Sequence, residues 1–258
     1  MAGSSHAQGI GGTLAVLASI LLLWEAAVWF FAPPPIILPP PSSILAELWS
    51  SPRYFTRHAG FTLWTTLAGF GLSVVLGVTL AVLITASRWL DRIITTILVV
   101  LNSLPKVALA PLFVIWMGTG AEPKIAIAVM LAIFSIVADV ALGLRSVDPD
   151  AIALARVHRA SAWRILWKVR FPNALPALFV GMKVAVSFAL VGAIVGEFVG
   201  GSAGLGHVIL IAQGQFDTVR VFAALVVLGV IGTVLFYAVE AAERLALPWH
   251  VSQRSGGR

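Results

Sequence analysis

Apolar residues run along this chain in long blocks, and polar residues fall between the blocks rather than alternating within them. The blocks cover 13–32, 61–86, 93–118, 124–144, 174–199 and 218–245. At about 1.5 Å of rise per residue, about 20 helical residues cross a hydrocarbon core about 30 Å thick. The pattern therefore predicts an all-α integral membrane protein with six transmembrane helices.

The breaks carry their own signals. Residues 1–12 are small and polar, and lack Lys and Arg, which predicts a short disordered start and argues against a secretory signal peptide. Residues 33–41, PPPIILPPP, are predicted to be extended, polyproline-like chain leaving the membrane, after which Ser42 or Ser43 caps a short interfacial helix through Trp49. Glu25 would be costly facing lipid at mid-depth, so it is expected to face protein or the far interface. Within the blocks, Gly69, Ser73 and Gly77 recur every four residues, as do Gly181, Ala185, Ala189 and Ala193. Such smooth flanks admit close helix packing, either within one chain or across a dimer axis. The third block is unusual in holding Asn102, Ser103, Pro105 and Lys106, and a polar, proline-broken segment at that depth has to face protein or a water-filled path. Lys106 thus either lines a route through the membrane or marks a helix break and snorkels.

The longest polar interruption is 148–176, DPDAIALARVHRASAWRILWKVRFPNALP. Asp148 suits an N-cap, Pro149 the first helical position and Asp150 the positive end of the dipole. Ser161 offers a second cap, followed by Ala162, Ile165, Leu166 and Val169 at amphipathic spacing. Pro172 disfavours helix at Phe171, so this second helix is expected to end near Arg170. The prediction is a pair of short helices.

Composition agrees with the block pattern: 59% of the residues are hydrophobic and 11% charged, a balance outside the soluble range. The net charge of +6 is scattered over loops without a continuous basic face, so nucleic acid is not the expected partner. No Cys occurs, which excludes disulfides and thiolate metal sites, and the five His are too dispersed for a metal site by spacing. No cofactor is implied.

The 148–176 stretch resembles the cytoplasmic Glu-Ala-Ala loop of the membrane subunits of bacterial ATP-binding-cassette importers. Ala153, Leu154 and Ala155 stand at the triplet, Arg159 at the position of the family's glycine, and Val169, Phe171 and Pro172 at its Ile-x-Leu-Pro ending. The family's Glu and Gly are both replaced here; the third Ala, Ala160-Ser161 and the Pro172/Pro176 pair fit. LPPPSSIL at 38–45, Gly196-Glu197-Phe198-Val199-Gly200 and Gly204-Leu205-Gly206 are similar to the sulfonate, nitrate and taurine branch of these importers.

Charge distribution tests the orientation this implies. With the N-terminus inside, inner segments hold eleven Lys and Arg (Arg88, Arg92, Arg145, Arg156, Arg159, Arg164, Lys168, Arg170, Arg244, Arg254, Arg258) and outer segments four (Arg53, Arg57, Lys124, Arg220). That asymmetry satisfies the positive-inside rule, with Lys106 and Lys183 intramembrane.

The resemblance implies a type I importer permease fold over 13–245, a coupling loop at 148–176 and a cytoplasmic tail at 246–258. It implies a bacterial inner-membrane location with both termini cytoplasmic. It also implies a second permease copy, two ATPase subunits, and an extracytoplasmic protein that delivers a small solute, an organic anion or vitamin precursor. ATPase contacts are expected at Ala155, Arg159, Ala160, Ser161 and Arg164, and the translocation path at Asn102, Ser103, Lys106 and Glu197. The competing class is a secondary transporter or channel without an ATPase, which would show internal repeats and paired intramembrane charges. The four Lys follow Pro, Pro, Trp and Met, so no phosphate-binding loop is present. Gly200-Gly201-Ser202-Ala203-Gly204 matches a nucleophile-elbow pattern, with His207 and Asp217 nearby, but that device needs a strand-to-helix turn and here follows a membrane helix.

Overall fold

Among the described residues, four helices are long and apolar enough to span a bilayer singly, and a fifth span is broken in the middle. The computed structural model describes residues 4–248, in which all regular structure is helical. Of the expected polar start, residues 1–3 lie outside the described residues and 4–12 are helical backbone; of the expected tail, 249–258 lie outside. In chain order the helices are α1 (Ser4–Phe31), α2 (Pro41–Ser50), α3 (Pro52–Ala86), α4 (Arg88–Ser103), α5 (Ala110–Met117), α6 (Glu122–Arg145), α7 (Pro149–Val157), α8 (Ala162–Ile165), α9 (Phe171–Gly200), α10 (Leu205–Gly214) and α11 (Thr218–Ala246).

Three expectations change. The block 93–118 is not one rod: α4 and the turn-plus-helix Lys106–Met117 meet at 85°. Leu104 is extended (φ −76°, ψ 142°) because the following Pro105 forbids it helical geometry, so the span breaks there. Second, α2 starts at Pro41 without a side-chain cap. Ser42 instead donates its N–H and hydroxyl to the Glu25 carboxylate, at 3.0 and 2.7 Å, which places Glu25 against protein. Third, the six apolar blocks do not account for every helix, since residues 200–217, between the last two, contain α10.

The core is a three-helix sandwich of α3, α6 and α9. A methyl on Gly77 would lie 2.6 Å from Ile136 Cγ2, and one on Gly192 2.6 Å from Ala128 Cα, so neither position has room for a side chain. Both small-residue stripes are buried and packed inside the chain on α6, not held free for a dimer axis. Gly69 and Gly77 meet Ala128 and Ile136, making α3 parallel to α6; Gly143 meets Ala174, and Gly196 meets Lys124, making α9 antiparallel to it. In lipid there is little hydrophobic drive between helices, so this close dispersion packing is what holds the sandwich. Large apolar side chains such as Leu23, Trp29, Ile115 and Leu142 point outward, as a lipid-solvated surface requires.

Ion pairs close the two ends. Arg145 reaches Asp91 at 2.8 Å at the end bearing α7 and α8. At the far end Arg220 bonds Glu47 at 3.0 Å and Asp217 at 3.3 Å, clamping α2 to α11.

Candidate functional site

The 148–170 stretch folds as a knuckle whose five predicted contact residues belong to one hydrogen-bonded turn. Asp148 accepts from the Asp150 N–H at 2.9 Å and opens α7, as expected. The helix ends in a Schellman motif: Ala160 N–H donates to Ala155 C=O at 3.0 Å, Arg159 N–H to Arg156 C=O at 2.9 Å. Arg159 occupies the left-handed position between them, φ +55°. A glycine enters that region freely, whereas Arg bears a steric cost of about 1–2 kcal/mol. Ser161 follows at once as the cap of α8, its Oγ accepting from the Arg164 N–H at 3.3 Å. Ala155, Arg159, Ala160, Ser161 and Arg164 are thus covalent and hydrogen-bonded neighbours. Around them Leu154, Val157 and Trp163 are exposed, an apolar patch bordered by Arg156, Arg159 and Arg164.

The expected stop near Arg170 does not occur. From Ala162 to Gly200 the chain is one helical run of 39 residues. Leu166–Arg170 forms a π-helical turn in which Phe171 N–H reaches back to Leu166 C=O. That wider register removes the i−4 partnership that Pro172 cannot make and eases the clash of its ring with the preceding carbonyl. The second knuckle helix is therefore continuous with α9.

The path candidates separate. Lys106 Nζ donates to Asn102 Oδ1 at 2.6 Å and stands 5.7 Å from the centroid of Phe134. Both polar residues border a recess of about 530 Å³ at the broken span, walled by Phe134, Ser135, Phe188 and Val191. Ser103 bonds its own helix at Val99 C=O, 2.9 Å away, and is not part of that wall.

Glu197 lies elsewhere, fully buried. It accepts from Thr62 Oγ1 at 2.8 Å and from Gly206 N–H at 2.7 Å. Thr62 in turn accepts from Leu205 N–H at 2.8 Å, and His58 Nδ1 from Gly204 N–H at 3.1 Å. Gly204 has φ +103°, and a methyl there would fall on the Glu197 carboxylate. Beside this knot Lys124 donates to the carbonyls of Thr119 (2.6 Å) and Gly200 (2.8 Å). The Gly-rich segment is thereby pinned to α3, and Ser202 sits in a loop after a helix rather than on a strand-to-helix elbow.

Sequence reading passed over Thr62, His58 and Lys124 as partners, and the pair Lys183–Glu243 at 2.5 Å between α9 and α11. Long-range pairing of this kind leaves no local signal.

Comparison with known proteins adds the family. The family described as binding-protein-dependent transport system inner membrane component matches residues 73–246. The riboflavin transport system permease protein RibX of Chloroflexus aurantiacus is 34% identical over 93% of this chain and 91% of its own length. The formylaminopyrimidine transport permease protein ThiX of Halalkalibacterium halodurans is 30% identical over 91% of this chain and 94% of its own. For the taurine transport system permease protein TauC of Escherichia coli the identity is 30%, over 93% and 88%. Among solved structures, the inward-facing MetNI methionine ABC transporter shares the fold, with a TM-score of 0.67 and 21% identity over 78% of this chain and 97% of that one. The chain belongs to the binding-protein-dependent transport inner-membrane component family, the multi-pass permease subunits of ATP-binding-cassette importers, in which ATP hydrolysis lies on a separate subunit.

Proposed function

We propose that two copies of this chain form the translocation path and that the 148–176 knuckle of each takes the work of a cytoplasmic ATPase. The observation that carries this reading is the unbroken helix from Ala162 to Gly200, which joins the knuckle to the central helix of the core. An ATPase that moves Ser161 and Arg164 moves α9 with them, because the helix runs on from one to the other without a break. Closure of two ATPases then rocks α9 and the packed α3 and α6 between inward-open and outward-open arrangements. Arg156, Arg159 and Arg164 offer cations for acidic groups on the partner, and the exposed Trp163 and Leu154 give it apolar surface.

In this arrangement the permease body is 13–245, the tail 246–258 and both termini are cytoplasmic, and a binding protein delivers the solute at the end bearing Glu47 and Arg220. The solute is small: an anion of the sulfonate, taurine or nitrate kind, or a vitamin precursor, a range that the relatives named for sulfonates, taurine, formylaminopyrimidine and riboflavin support in all but nitrate. Asn102 and Lys106 border the path, and Glu197 holds the far-end loop in register. The test is purification of the tagged chain in mild detergent. A nucleotide-hydrolysing subunit carrying a phosphate-binding loop should accompany it, and its consistent absence would sink the reading.

A further inference from the structure

Lys106 and Lys183 lie within the membrane and Lys124 stands in the first turn of α6, and their surroundings differ. Lys183 has the carboxylate of Glu243, and Lys124 has two carbonyl oxygens. Lys106 has one neutral acceptor, Asn102 Oδ1, and the face of Phe134. No Asp or Glu is among the residues around its recess. An ammonium has three donors and needs a counter-charge where water is scarce, and here the protein supplies none at the recess. The recess is also at mid-height, since Phe134 is at the midpoint of α6. Apart from Ser135, its other surfaces are apolar, from Phe188, Val191 and Leu131 among others.

We infer that Lys106 is an anion-selecting group of the path, held toward the recess by Asn102, and that the solute carries a negative charge on a small body with an apolar face. The broken span makes this possible. By stopping α4 at Pro105 it puts the Lys106 side chain beside an opening rather than against a packed helix. This rests on the path reading above and decides between the two solute classes left open there, in favour of the anion.

The absence of Cys allows a direct test. Ser135→Cys places a single thiol in the recess wall; Val191→Cys is the second site should the first not fold. The protein, with its copurifying subunits, is placed in lipid nanodiscs and treated with a sulfonate-bearing or a trimethylammonium-bearing methanethiosulfonate, each rate normalised to that with free cysteine. The anionic reagent should react faster by on the order of tenfold, from the charge interaction across a partly desolvated recess. Lys106→Gln should bring the two rates together, and Lys106→Arg should keep them apart. Equal rates that Lys106→Gln leaves unchanged would overturn the anion site while leaving the path intact. A faster cationic reagent would overturn it as well. Failure of both reagents to reach either thiol would remove the path reading and this inference with it.

Discussion

Lys183 of α9 and Glu243 of α11 meet at 2.5 Å with side chains only 17% and 4% exposed. The contact ties the last turn of the chain's final span to the helix that continues into the knuckle. A charge pair in such surroundings holds two helices in register but stands on a large desolvation cost, so removing one member alone costs more than removing both.

Lys183→Met should therefore destabilise the protein, by about 3–5 kcal/mol, because it takes the ammonium away from the buried Glu243 carboxylate. Lys183→Met combined with Glu243→Leu should recover most of that loss. Thermal unfolding in detergent reads both; a single variant as stable as the parent would show that the pair carries no structural weight.

The Glu197 knot predicts a finer distinction at Thr62, whose hydroxyl donates to Glu197 and accepts from Leu205 N–H. Thr62→Val preserves shape and removes both bonds, leaving a buried N–H unsatisfied, at a cost of about 1–3 kcal/mol. Thr62→Ser keeps the hydroxyl and should stay near the parent. Hydrogen exchange of the 204–206 amides should rise in Val and not in Ser. Equal protection in all three would mean that the loop is held by something other than this hydroxyl.

Much of this was legible in the chain. Asp148 and Ser161 act through bonds two or three residues away, and their caps form as local chemistry dictates. The small-residue stripes announced close packing but not against which helix, since α6 carries no matching stripe of its own. Helix α10 is legible in its pattern: Leu205, Val208, Ile209 and Ala212 recur at i, i+3, i+4 and i+7 and are all buried, although the glycines before them favour no helix. Pro172 misled in the other direction, because a proline signals a lost hydrogen bond without saying whether a π turn will absorb it. Glu197 was expected on the path, and its hydrogen-bond partners were not foreseen. Its partners come from 135 residues away on α3, and a sequence without an alignment gives no view of that.

Arg159 predicts that turn stability and coupling move apart. Arg159→Gly relieves the left-handed strain at φ +55° and should keep or raise the unfolding temperature. It also removes a cation from the knuckle face, so ATPase recovery should fall, and further with Arg159→Glu, which opposes acidic groups on the partner. The readout is the ratio of ATPase to permease after purification, beside a melting curve. Full recovery with Arg159→Glu would refute the assignment of this residue to the coupling face.

Orientation is open to the same cysteine chemistry, since the chain has no thiol of its own. Trp163 is 68% exposed on the knuckle, and Ser202 is exposed in the far-end loop. The excess of Lys and Arg on the knuckle side predicts that this side faces the cytoplasm. A membrane-impermeant maleimide should then label Trp163→Cys in inside-out vesicles and spare it in intact spheroplasts, with the reverse for Ser202→Cys. Because the two sites sit at opposite ends of the same bundle, they must answer oppositely if the spans are assigned correctly. Labelling of both from one side would break the span assignment, and labelling of Trp163→Cys from outside alone would place the knuckle beyond the reach of any cytoplasmic ATPase.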